Sequence, residues 1–164
     1  LLDKKVIAKL YEASANWVRI DLIVRGICTL RPGIAGVSDN ITVRSIVGRF
    51  LEHHRLFYFR NGGNEKIFLS SADWMPRNLN ERVELMIPIE DKRHKARIKG
   101  ILDLYLVDTL KAHLMRSDGS YYKVSNIEGP LSAQEELMEA ANTQDSREQM
   151  TVIERFKPMF KMKE

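Results

Sequence analysis

Histidine, arginine, serine and aspartate crowd one short stretch of this chain, VGRFLEHHRLFYFRNGGNEKIFLSSADW, from Val47 to Trp74. His53 stands two residues before Arg55, and on a strand positions i and i+2 share one face. An imidazole and a guanidinium can therefore point at one anion, with His54 pointing away. A histidine facing phosphate can donate a proton to a leaving oxygen or stabilise charge on a transferring group. Arginine adds a planar fork that grips phosphate bidentately. Ser70, Ser71 and Asp73 follow the second apolar run, where hydroxyls and backbone amides can hold phosphate oxygens. The bland readings stand beside these: His53 as a polar cap over a helix end, and Ser71 or Asp73 as the cap of the turn before MPRN. Local spacing leaves both open.

The charge pattern favours an anionic ligand. Between Arg19 and Arg60 lie seven arginines and no lysine, against only Asp21, Asp39 and Glu52. A generic solvated face would mix the two basic residues. Nucleic acid, nucleotide and polyphosphate all qualify. Aromatic residues are not interleaved with the arginines, which argues against a platform for single-stranded nucleic acid. With one cysteine, Cys28, and four scattered histidines, no zinc-ligand spacing exists, and His94 and His113 receive no role. Cys28 reads as a structural thiol in a reducing compartment. The N-terminus is too charged for a signal peptide, and no apolar run is long enough to span a membrane. The 164 residues suit one domain, and the opening Leu1 suggests a piece of a longer protein.

The elements that must position these groups follow from periodicity. Val6, Leu10, Ala13 and Trp17 predict a first helix capped by Asp3, and RIDLIVRG predicts a strand ending at Arg25-Gly26. A Pro- and Gly-containing loop follows, with Ser38, Asp39 or Asn40 as the cap of a second helix. That helix is expected to carry Val43, Ile46, Val47, Phe50 and Leu51 on one stripe and to end at Leu51, leaving His53 just beyond its C-terminus. There the carbonyl ends would favour the imidazolium. RLFYF and KIFL, joined by RNGGNE, predict a hairpin. RVELMIPI predicts a strand, and DKRHKARIKGILDLYLVD a helix with a solvated basic start at Lys92 and Arg93. Its inner face holds Ile98, Ile101, Leu102, Tyr105 and Leu106. AHLMR and SYYKV around an SDG turn predict a second hairpin. LSAQEELMEAAN predicts a last helix opened by a Ser132–Glu135 capping box. Interleaved helices and strands with two hairpins predict an α/β fold, a mixed sheet with helices on both faces. Arg25 then sits at a strand's carboxyl end, where such sheets gather ligands.

With these residues in place, the HxR that opens one strand and the SSAD after the next resemble the HxK…GSxN signature of the phospholipase D superfamily. More narrowly, VRGICTLRPGIAGVSDNITVRSIVGRFLEHHRLFYF and LSSADWMPRNLNERVELMIPI resemble the C-terminal domain of bacterial polyphosphate kinase, from about Asp3 to Ala141. The resemblance implies a phospholipase D-like catalytic domain over residues 1–142 and a polar tail over 143–164. It further implies reversible transfer of the terminal phosphate of ATP to inorganic polyphosphate, through a phosphohistidine in a preceding domain outside this chain. Magnesium would be bound mainly outside this stretch. The family's VRG arginine matches Arg25 and its FLEH histidine matches His53, both implied at the nucleotide-phosphate site. Arg55, Ser71 and Asp73 complete the candidate ATP- and phosphate-binding set, with no metal ligand among them.

The departures matter as much. Arg55 replaces the lysine of the lipase-type signature, and Arg60 stands where an acidic residue is expected. The signature occurs once, whereas the hydrolases need two copies. A dimeric phosphodiesterase or nuclease, or a non-catalytic polyanion binder, is the alternative. Expected partners are ATP, polyphosphate and the preceding domain, in a homo-oligomeric parent without nucleic acid or a transmembrane segment. The expected location is cytoplasmic, or at a membrane through the parent enzyme.

Overall fold

The computed structural model describes residues 1–124 and 129–142; the tail expected from Thr143 onward lies outside the described residues. Helix α1 (Lys4–Ala15) starts at Asp3, whose carboxylate accepts a hydrogen bond from the Val6 amide at 2.9 Å. Strand β1 (Ile20–Ile23) pairs in parallel with β2 (Ile41–Ile46). The hairpin strands β3 (Arg55–Phe59) and β4 (Lys66–Ser70) follow, then a short helix α2 (Pro76–Glu81) that periodicity did not predict. Strand β5 (Met86–Ile89) leads into α3 (Lys92–Val107), the hairpin β6 (Ala112–Met115) and β7 (Tyr121–Lys123), and finally α4 (Ala133–Asn142).

The α/β class with mixed strand pairing holds, with the strands divided between two sheets. One has the order β1-β2-β6-β7, parallel only at β1–β2; the other is an antiparallel meander β3-β4-β5. Helices cover both faces of the four-stranded sheet. Val6, Ile7 and Leu10 of α1 pack with Ile41, Val43 and Met115 on one face. Leu104 and Tyr105 of α3 and Ala133 of α4 pack with Ile46 and Ala112 on the other. The alternation of Ile41 and Val43 against Ile46 along β2 is the period-2 pattern of a strand buried from both sides.

That alternation overturns the second helix. Ile41–Ile46 is a strand, and residues 47–54 that follow it are neither helix nor strand. The apolar spacing from Val43 to Leu51 fits a helical stripe only by coincidence. Four of the six β2 residues are β-branched, which fits a pleated surface better than a helix, and β1 and β6 flank the segment. Val47, Phe50 and Leu51, expected in the core, are 67%, 48% and 75% exposed. Ser38 caps a turn instead, accepting from the Ile34 amide and donating to the Arg31 carbonyl. Trp17 also departs: α1 stops at Ala15, and Trp17, at φ 65°, turns outward on the way to β1. The β3–β4 loop uses the left-handed backbone that Asn-Gly-Gly permits, with Asn61, Gly62 and Gly63 all at positive φ.

A candidate phosphate-transfer site at the start of β3

The meander brings the two ends of the chemistry-bearing stretch together. In the β3–β4 register Arg55 lies opposite Ser70, so the chain leaving β4 passes beside the residues that enter β3. Asp73 is fixed there by its neighbour. Trp74 stacks on Phe57 with ring centroids 5.0 Å apart, and its carbonyl accepts the amides of Leu2 and Asp3 at 2.8 and 3.1 Å. The Arg55 guanidinium then bridges the site. Its Nε donates to Asp73 Oδ1 at 3.0 Å, while one terminal nitrogen donates to the His53 carbonyl at 2.7 Å and meets His53 Nδ1 at 3.0 Å.

A guanidinium has donors only, so Nδ1 of His53 is the acceptor and Nε2 carries the ring proton. His53 is exposed, and its Nε2 has no partner among the described residues. The Arg55 bond holds the Asp73 carboxyl below its ordinary range, and the charge of Arg25 acts in the same direction. Arg25, just past the carboxyl end of β1, is half-buried and makes no hydrogen bond or ion pair among the described residues. The helix-end argument for His53 falls with the helix: what faces its ring is Arg55, not a set of helical carbonyls.

His54 does point away from His53. It stacks on Tyr105 of α3 at 5.5 Å, and its Nδ1 lies 3.3 Å from Glu52. Burial pushes the His54 pKa below its ordinary 6.5; Glu52 opposes this, while Arg25 and Arg55 reinforce it. A histidine with a depressed folded pKa binds its proton more readily in the unfolded chain. Stability is therefore expected to fall as pH drops below about 6.5 and to keep falling until the folded pKa is passed. The urea midpoint at pH 5.5 against pH 7.5 measures this, and replacing His54 by asparagine should flatten the slope. An unchanged slope would refute it.

The Ser71 hydroxyl is engaged with the chain that leads into β5. It donates to Glu84, which also accepts from the Asn78 side chain at 3.0 Å, and it receives the Leu85 amide at 2.9 Å. It thus ties the end of β4 to the start of β5. Of the seven arginines, Arg55 bonds Asp73 and His53, and the charge of Arg25 acts on Asp73. Arg19 pairs with Asp21 at 3.0 Å, Arg44 donates to the Asp108 carbonyl, Arg49 lies over Phe50, and Arg31 packs across Gly119. Sequence reasoning missed Glu52, Glu84 and Gln134. Gln134 is 84 residues from the backbone it binds, and no local pattern announces such a contact.

The fold and this arrangement define the class: an α/β domain of the phospholipase D-like kind, with a histidine and arginine site at the mouth of a hairpin. The family model for the polyphosphate kinase C-terminal domain 2 matches residues 1–134, and the chain belongs to that family. It is 55% identical over 141 residues to the polyphosphate kinase of Pseudomonas aeruginosa, covering 85% of this chain and 20% of that protein. It is 57% identical over 126 residues to that of Bacillus anthracis, covering 77% and 18%. The crystal structure of polyphosphate kinase from Porphyromonas gingivalis superposes with a TM-score of 0.84 at 41% identity, covering 92% of this chain and 23% of the other. The chain thus spans about a fifth of the length of the curated relatives it matches. Among the described residues no helix is long and apolar enough to cross a membrane.

Proposed function

We propose that this domain supplies one wall of a phosphotransferase site that moves the terminal phosphate of ATP reversibly onto inorganic polyphosphate. The observation that carries the reading is Arg25, which makes no hydrogen bond or ion pair among the described residues and whose charge acts on Asp73, the carboxylate that pairs with Arg55 while Arg55 holds the His53 imidazole in one tautomer. Phosphoryl transfer asks the protein for positioning and charge stabilisation more than for covalent chemistry. Arg25 neutralises a phosphate oxygen. His53 donates its Nε2–H to the oxygen on which charge develops. Arg55 and Asp73 set the imidazole in place, and Ser71 shapes the wall by tying β4 to β5. The phosphohistidine of the transfer belongs to a preceding domain of the parent, which works as a homo-oligomer.

Magnesium is part of what the family implies. Among the described residues no group of three or more histidine, cysteine, aspartate or glutamate side chains could hold a metal ion, and Asp73 is committed to Arg55. These residues do not make a metal site, and their contribution is electrostatic and positional.

The test is ATP formation from polyphosphate and ADP by this domain alone, by the full-length parent, and by the parent carrying Arg25→Ala. A silent domain, an active parent and a loss on the order of a hundredfold in the variant are expected, the range for removing one preorganised donor. A parent indifferent to Arg25→Ala, with polyphosphate still bound in a salt-dependent way, would make the domain a polyanion-binding module instead.

A further inference from the structure

Gln134 takes no part in the chemistry above, yet it fixes the segment that carries His53. It sits in the first turn of α4 and is 5% exposed. Its Oε1 accepts the Phe50 amide at 3.1 Å, and its Nε2 donates to the Phe50 carbonyl and to Glu52 Oε1, both at 2.8 Å. One carboxamide thus satisfies both backbone groups of a single residue, as a neighbouring strand would in an antiparallel pair. Residues 47–54 have no regular structure of their own, so this substitute strand is what gives them a defined path. Gly48 leaves room for it: a Cβ there would lie 2.3 Å from Gln134 Oε1. Glu52, held by Gln134, faces His54, which stacks on Tyr105. His53 is therefore pinned from the Phe50–Glu52 side by Gln134 and from the β3 side by Arg55.

We propose that Gln134 is a positioning residue for phosphoryl transfer, its carboxamide clamping Phe50 and Glu52 so that His53 is presented to the phosphate in one orientation. This rests on the function proposed above. The clamp acts on placement alone, and a misplacement of about 1 Å at a reacting group costs up to a hundredfold in rate.

A double-mutant cycle in the full-length parent tests it, using Gln134→Ala, His53→Ala and the pair, with ADP and polyphosphate as substrates. Gln134→Ala is expected to lower kcat roughly ten- to a hundredfold while KM for ADP stays within about twofold, the split expected when only the transition state loses a contact. In the His53→Ala background the same change is expected to cost nothing further, because both act through one group. Equal losses in both backgrounds, or an unimpaired Gln134→Ala enzyme, would overturn the clamp and leave the proposed function standing. A fully active His53→Ala enzyme would overturn both. Should Gln134→Ala fail to fold, Gly48→Ala carries the same cycle, because its methyl group displaces the carboxamide while leaving α4 intact.

Discussion

Full-length enzyme carrying His53→Ala is expected to form ATP from polyphosphate and ADP about a hundredfold more slowly than wild type, equivalent to about 2.7 kcal/mol of barrier. Arg55, itself paired with Asp73, bonds the imidazole at Nδ1, and Arg25 lies just past the end of β1 in the other sheet. On the function proposed above, losing the ring leaves Arg25 to neutralise charge with no donor at the transferring oxygen. The effect belongs in kcat more than in KM, since the donor matters most where charge develops. His53 is exposed, so stability should change by no more than about 0.5 kcal/mol. His53→Gln separates two ways of acting. Its amide can place an N–H near the position of Nε2 but cannot shuttle a proton, so partial recovery points to hydrogen bonding as the active element. No loss in His53→Ala would return the residue to a surface cap and overturn the function proposed for this site.

Asp108→Ala is expected to destabilise the domain by about 4 kcal/mol, a large part of the net stability of a typical domain. Asp108 is fully buried at the end of α3. One carboxylate oxygen accepts the amides of Lys111 and Ala112 at 2.7 and 2.9 Å, and the other accepts that of Ala133 at 2.8 Å. A single side chain thus joins the end of α3, the start of β6 and the start of α4. Removing it strands three N–H groups away from water, at about 1–3 kcal/mol each. Asp108→Asn keeps an acceptor for part of this set and should cost about half as much. Urea unfolding followed by circular dichroism measures both, and a loss below about 1 kcal/mol for alanine would mean that the amides find other partners. Because Ala133 precedes Gln134, a loosened α4 should also slacken the hold on Phe50, linking this stability defect to activity.

The stretches with strong local instructions were legible. Asp3 and Ser132 cap the helices expected of them, RNGGNE turns the hairpin, and Arg25 falls at a strand end. His53 does meet Arg55 and His54 does turn to Tyr105, as expected, but both histidines precede β3, so it is their contacts rather than strand alternation that set this. The stretch from Ile41 to Leu51 was not legible, because its apolar residues satisfy helical and alternating periods together. The tie from Ser71 to Glu84 was not legible for a related reason: Glu84 lies beyond a turn and a helix that no periodicity announced.

The sequence by itself determined the chemistry available here: which residues carry protons and charge, the hairpin that brings Ser70 opposite Arg55, and the family to which the long motifs belong. Tertiary structure decided how that chemistry is held. Whether residues 41–46 became strand or helix was settled by the empty place between β1 and β6. Which nitrogen of His53 faces outward was settled by Arg55 reaching Asp73, 18 residues away, and the path of the His53 segment by Gln134 of α4. Local sequence encodes propensity and period, whereas these choices depend on hydrogen bonds between residues that only folding makes neighbours.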